Sequence, residues 1–116
     1  MATFTKVKLS GSTDAKPILV VATATAGTVI HTAVSGTSSL DEIWLYANNT
    51  SATTVKLTLE FGGVTTTETI EINIGAEGTG LVLVSPGILL QNSLIVRAFA
   101  GTASVVNVTG YVNRIS

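Results

Sequence analysis

Val55-Lys56-Leu57-Thr58-Leu59-Glu60-Phe61 alternates apolar and polar side chains without a break and stops at Gly62-Gly63. Side chains on a strand point alternately to opposite faces, so Val55, Leu57, Leu59 and Phe61 are expected to face a core. Lys56, Thr58 and Glu60 are then expected to face water, as on a half-solvated antiparallel strand. The stretch downstream, Glu68 to Ile74, repeats this logic with Ile70, Ile72 and Ile74 inward and Thr69, Glu71 and Asn73 outward. Upstream, Leu40 to Ala47 reads as a strand with two unlike faces: Ile43, Leu45 and Ala47 on one, Glu42, Trp44 and Tyr46 on the other.

Further out, strand signals continue in both directions, cut by Gly, Asn, Ser and Pro. Pro17–Ala22 and Thr28–Val34 precede the central strands; Leu81–Val84, Ser93–Ala100 and Ser104–Val112 follow them. Ser85-Pro86-Gly87 is expected to turn the chain, with Ile88-Leu89-Leu90 crossing over. Nowhere does the apolar pattern settle into the 3.6-residue period of a helix. About eight short strands at this spacing predict an all-β antiparallel β-sandwich with Greek-key or jelly-roll-like connections. Residues 1–16 read as an N-terminal arm and residues 17–116 as the sandwich domain.

The chain has 116 residues, enough for one domain that buries a core of its own. Cysteine is absent, so disulfides, thiolate metal sites and a cysteine nucleophile are excluded. Only 11% of residues are charged, against about 25% in an average globular domain. Mean hydropathy is +0.55. A solitary protein keeps its surface wet with charges of both signs. Here Thr, Ser and Asn take much of that role, and part of the exterior is expected to be covered in an assembly. Six cations, no dense patch among them, and a net charge of −1 argue against a nucleic-acid partner. The first residues lack the apolar stretch of a secretory signal, and no apolar run approaches a membrane helix. Aromatic residues, at 5%, are too few for the girdles of a membrane barrel.

Candidate chemistry is thin. His31 is the single histidine, mid-strand, with no second histidine to share a metal. It is expected to be an ordinary strand residue. Asp41-Glu42 point to opposite faces and cannot act as a carboxylate pair. Glu60 and Glu71, on solvated faces, could approach each other, but charge kept for solubility explains them better. Gly75 to Gly80 is followed by a strand, whereas a phosphate cradle needs a helix there. Catalytic, cofactor-binding and metal residues are therefore none, and the chain is expected not to be an enzyme.

Trp44 and Tyr46 share the face opposite Ile43 and Leu45, and three explanations stay open: burial on both faces, an aromatic anchor at a protein interface, or a platform for a sugar. Arg97 sits on the face of Ile95 and Phe99, where a cation either reaches the rim or pairs with a carboxylate. Arg114 could latch onto a neighbouring subunit.

The segments Asp41-Glu42-Ile43-Trp44-Leu45-Tyr46-Ala47-Asn48-Asn49-Thr50, the hairpin through Phe61-Gly62-Gly63, Gly80-Leu81-Val82-Leu83-Val84 and Gly110-Tyr111-Val112-Asn113-Arg114 resemble small virion proteins of tailed bacteriophages, especially capsid decoration or cement proteins. The likeness is one of style and layout over most of the chain, without a diagnostic motif. It implies a β-sandwich, made in the host cytoplasm and added to the capsid exterior as a homo-oligomer, often a trimer, that clamps the major capsid protein or another virion protein. On that basis the arm with Phe4, Lys6 and Lys8 is the first candidate for the capsid contact, and Trp44 and Tyr46 for oligomer packing. Alternatives are a tail, baseplate or fibre component, or a carbohydrate- or receptor-binding module.

Overall fold

A computed structural model describes residues 2–116; Met1, the first residue of the arm, lies outside the described residues. Among these residues nine strands and no helix are formed: β1 Phe4–Lys8, β2 Ile18–Val20, β3 Thr28–Thr32, β4 Leu40–Asn49, β5 Val55–Phe61, β6 Thr69–Ile74, β7 Val82–Leu90, β8 Ile95–Ala100 and β9 Val106–Ile115. They build two antiparallel sheets packed against each other, a β-sandwich. The five-stranded sheet runs β1-β9-β4-β7, with β2 paired to β9 beside β1; the four-stranded sheet runs β3-β8-β5-β6. Apart from β1 to β2 and the β5–β6 hairpin, each connection crosses from one sheet to the other.

The central alternation of β4 is realised without exception. Asp41, Ile43, Leu45, Ala47 and Asn49 are buried, and the residues between them are half-buried. Against them pack Leu57 and Leu59 of β5, Val96, Ala98 and Ala100 of β8, and Val106, Val108 and Val112 of β9. Small residues at Ala47, Ala98 and Ala100 let the sheets approach, while the β-branched residues fill the space between them.

Three departures from expectation have physical causes. β7 runs straight through Ser85-Pro86-Gly87 as one edge strand, absorbing them in two register shifts against β4. Proline is tolerated there because an edge strand need not donate on its free side. The segment read as an arm supplies β1, which pairs with β9 from Phe4↔Ile115 to Lys8↔Tyr111, and then Leu9, a fully buried core residue. Beyond Leu9 the chain passes to the other sheet, where Gly11 N–H donates to the Ile30 carbonyl at 2.9 Å. Lastly, Thr58 and Glu60, expected in water, are buried. The connection before β3 lies over Glu60, whose carboxylate accepts from the Thr25 hydroxyl and the Gly27 N–H, and Gly27 approaches β8 so closely that a Cβ on it would overlap the Ala98 backbone.

Candidate functional site

The pairing registers place Phe4, Lys6 and Lys8 of β1, Asn113, Tyr111 and Thr109 of β9, Glu42, Trp44 and Tyr46 of β4, and Leu89, Pro86 and Leu83 of β7 on the outer face of the five-stranded sheet. Among the described residues no layer covers that face. Across its middle runs a stack contributed by four neighbouring strands. Lys6 Nζ stands 4.7 Å from the centre of the Tyr111 ring. Tyr111 in turn stacks on Trp44 with centroids 6.4 Å apart and planes 15° from parallel. On the far side of Trp44, a Cβ at Gly87 would come within 3.0 Å of the indole. Gly87, at φ +73°, is the residue that both the left-handed turn of the bulge and the indole require.

Lys6 and Trp44 come from strands on opposite sides of β9, so Tyr111 is engaged from both neighbouring strands. The cation–π and aromatic contacts are each worth about 0.5–1.5 kcal/mol, enough to brace the sheet across its strands. Trp44 Nε1–H donates to Glu42 Oε1 at 2.7 Å, and the Asn113 side-chain amide donates to the same oxygen at 3.1 Å. These two donors hold the Glu42 carboxyl below its ordinary value.

Around the stack the face carries apolar side chains toward its margins and polar ones, Glu42, Asn113 and Thr109, between them. Four of the nine exposed large apolar residues, Phe4, Leu19, Leu83 and Leu89, point outward from this sheet, and Val21 and Leu81 sit at its strand ends. Phe4 and Leu81 are the most exposed, at 72% and 61%. The outer face of the four-stranded sheet differs: Lys56, Glu71 and Arg97 put charge on it, and Lys56 Nζ pairs with Glu71 at 3.2 Å.

A second cluster lies inside. Asp41 Oδ1 accepts from Arg114 Nε at 2.8 Å, and Oδ2 accepts from Arg114 Nη2, from Val34 N–H at 3.0 Å and from His31 Nε2 at 2.7 Å. His31 Nδ1 accepts the Ser10 N–H at 3.0 Å, so its proton must sit on Nε2. Both ring nitrogens are thereby engaged and the ring is sealed. Burial pushes the Asp41 carboxyl up, but Arg114, His31 and the Val34 amide outweigh it and hold the group below its usual value. The Asp41 carboxylate in turn raises the Arg114 guanidinium. The arrangement ties β3 of one sheet to β4 and β9 of the other and to the segment after β1. As built, it has no free nitrogen with which to take a proton from a substrate.

Of the residues singled out in the sequence, Phe4, Lys6, Lys8, Trp44 and Tyr46 fall on one face. Arg97 lies on the outer face of the other sheet, in register with Glu60. Arg114 pairs with Asp41 within the chain. Tyr111, Leu83 and Leu89 were missed as members of the face, although the alternation of Tyr111 with Val112 and of Leu83 with Val84 places them opposite buried residues. Among the described residues no pocket is found and no three His, Asp or Glu side chains converge as a metal site. Comparisons of the chain with protein-family models, with curated proteins and with solved structures each find no match.

Proposed function

We propose that the chain works by protein–protein binding, as a decoration protein on the outside of a tailed-bacteriophage capsid, with the outer face of the five-stranded sheet as its docking surface. One observation supports this surface above others: exposed Phe4, Leu19, Leu83 and Leu89 gather on a single uncovered sheet face beside Trp44, Tyr46 and Tyr111. Exposed apolar side chains set around an aromatic centre and interleaved with Lys6, Glu42, Asn113 and Asn107 match the mixed make-up of a protein interface. The capsid as partner is supported by the resemblance of the segments around Trp44, Leu83 and Tyr111 to decoration proteins.

The mechanism is linkage. A protein that binds only the assembled shell stabilises that shell by about 2.7 kcal/mol per site when present at a hundred times its dissociation constant. Many copies multiply a modest single contact. The braced stack serves this role by keeping the face rigid before docking, which lowers the ordering cost on binding.

The test is co-sedimentation of the purified chain with expanded, undecorated heads of the phage that encodes it, alongside unassembled coat subunits. Binding to heads alone is expected, and Phe4→Ser combined with Leu83→Ser should weaken it about tenfold or more while leaving the fold intact. Equal retention of that variant, or capture by glycans and not by heads, overturns the proposal.

A further inference from the structure

The sandwich has four edges, and three of them carry a feature that blocks strand addition. β7 contains Pro86 and two register shifts. At the opposite edge of that sheet, β1 carries Lys6 and Lys8, and β2 is only three residues long. Proline, bulges, lysine and short length all spoil a template for a new strand. In the other sheet, the free side of β3 is occupied by the segment after β1: Gly11 N–H donates to Ile30 O, and Thr32 N–H donates to Ser10 Oγ at 2.6 Å.

β6 has the least protection: its one charge, Glu71, is paired with Lys56 within the chain. Its six residues, Thr69-Ile70-Glu71-Ile72-Asn73-Ile74, lack proline and lysine and keep an unbroken register against β5. On its inner face Ile70 and Ile72 are only half-buried, whereas Leu59 and Leu57 opposite them are fully buried. The core is therefore open along this edge.

We infer that β6 is a self-association edge, through which two copies of the chain pair antiparallel about a two-fold axis and join their four-stranded sheets into one. The inference goes beyond the docking surface above and uses a different part of the molecule. A second copy is the occupant that the side chains favour. In an antiparallel seam, facing residues lie on the same side of the sheet, so the axis must pass midway between the two copies of one β6 residue. An axis at Glu71 would set two carboxylates directly opposite, which is unfavourable. An axis at Ile72 sets Glu71 of each copy opposite Asn73 of the other, carboxylate against amide, and Ile70 opposite Ile74. Lys56, which pairs with Glu71 within the chain, stands in register with Asn73 on the same outer face, so cation, amide and carboxylate alternate across the seam. The seam covers Ile70 and Ile72 and leaves the five-stranded sheet free. A six-residue strand buries less than the roughly 1,200 Å² of a stable complex, so the pair is expected to form reversibly with concentration.

Sedimentation velocity on the whole chain from about 5 to 500 μM tests this, with unfolding temperature measured in parallel. The wild type should shift from monomer to dimer. Asn73→Glu sets carboxylates opposite each other across the seam twice, yet within one chain it places Glu beside Lys56. It should weaken the dimer about tenfold or more without lowering the unfolding temperature. Asn73→Lys should tighten the dimer. A wild type that stays monomeric throughout, or an oligomer indifferent to both substitutions, overturns the inference. An oligomer lost in Phe4→Ser with Leu83→Ser but kept in Asn73→Glu does so too, and assigns association to the other face.

Discussion

Asp41 and Glu60 are both carboxylates removed from water, at 0% and 1% exposure, but the chain satisfies them by different means. Asp41, on the inner face of β4, faces a guanidinium, an imidazole N–H and one backbone N–H. Glu60, on the outer face of β5, meets only neutral donors: the Thr25 hydroxyl at 2.8 Å and the Gly27 N–H at 2.6 Å. Arg97 stands in register with Glu60, yet the carboxylate oxygens are directed to the loop. The first acid joins two sheets and the N-terminal segment. The second pins one connection, and its loop-side partner Thr25 is itself exposed. Loss is repairable at one acid and not fully at the other: water can replace the donors of Glu60, but it cannot reach the sealed His31 ring that donates to Asp41.

Asp41→Ala should therefore be the most damaging single change. It strands the sealed imidazole N–H of His31 and removes the partner of the Arg114 guanidinium, which is itself partly exposed; an unsatisfied buried donor costs about 1–3 kcal/mol, more where a charge is involved. Against a total of about 5–15 kcal/mol for a domain, that is a large share, readable as a shift of the denaturant midpoint. Acid probes the same group. Because the folded carboxyl titrates lower than in the unfolded chain, its contribution is complete above the unfolded value of about 3.9. It is lost as pH falls through the lower, folded value. Wild-type stability should fall below about pH 4 with a steeper slope than that of Asp41→Ala. Parallel slopes would show that the cluster does not hold the carboxylate ionised.

Glu60→Gln keeps the shape and should cost less, about 1–3 kcal/mol, since one of the two loop donors then faces an amide nitrogen. The damage should be local. Hydrogen exchange at the Gly27 amide is expected to accelerate while core amides of β4 and β9 keep their protection. Equal acceleration across both sheets would make Glu60 a global support and erase its contrast with Asp41.

How much of this could be read from residues alone follows from the range of the forces involved. Strand alternation is local, so the β-sandwich and the unlike faces of β4 were legible in Ile43-Trp44-Leu45-Tyr46. The same period groups Phe4, Lys6 and Lys8 on β1 and Trp44 with Tyr46 on β4, but that both groups share one face follows from the pairing of β1 and β4 with β9. What escaped depends on pairing between distant strands. Asp41 meets Arg114 across 73 residues, and neither position hints at the other. Glu60 obeys the alternation of β5 and points outward as expected; it is buried only because a connection from another part of the chain lies over it. Pro86-Gly87 reads locally as a turn, and nothing short-range reveals that an edge strand beside Trp44 can absorb both. At Gly110 a Cβ would overlap the Trp44 carbonyl oxygen, a contact set wholly by the β4–β9 register.

Thr25→Val offers the finest test of the contrast. It removes the hydroxyl that donates to Glu60 Oε2 but leaves the Gly27 N–H on Oε1. Valine matches threonine in shape, so packing changes little and the lost hydrogen bond dominates. Were Glu60 as enclosed as Asp41, the unsatisfied carboxylate oxygen would cost at least as much as Glu60→Gln. Thr25 is exposed, however, so water can enter as the hydroxyl leaves. The expected loss is then the net value of one hydrogen bond, about 0.5–1.5 kcal/mol, in equilibrium denaturation. A loss as large as that of Asp41→Ala would mean that the loop seals Glu60 as tightly as the sandwich interior seals Asp41.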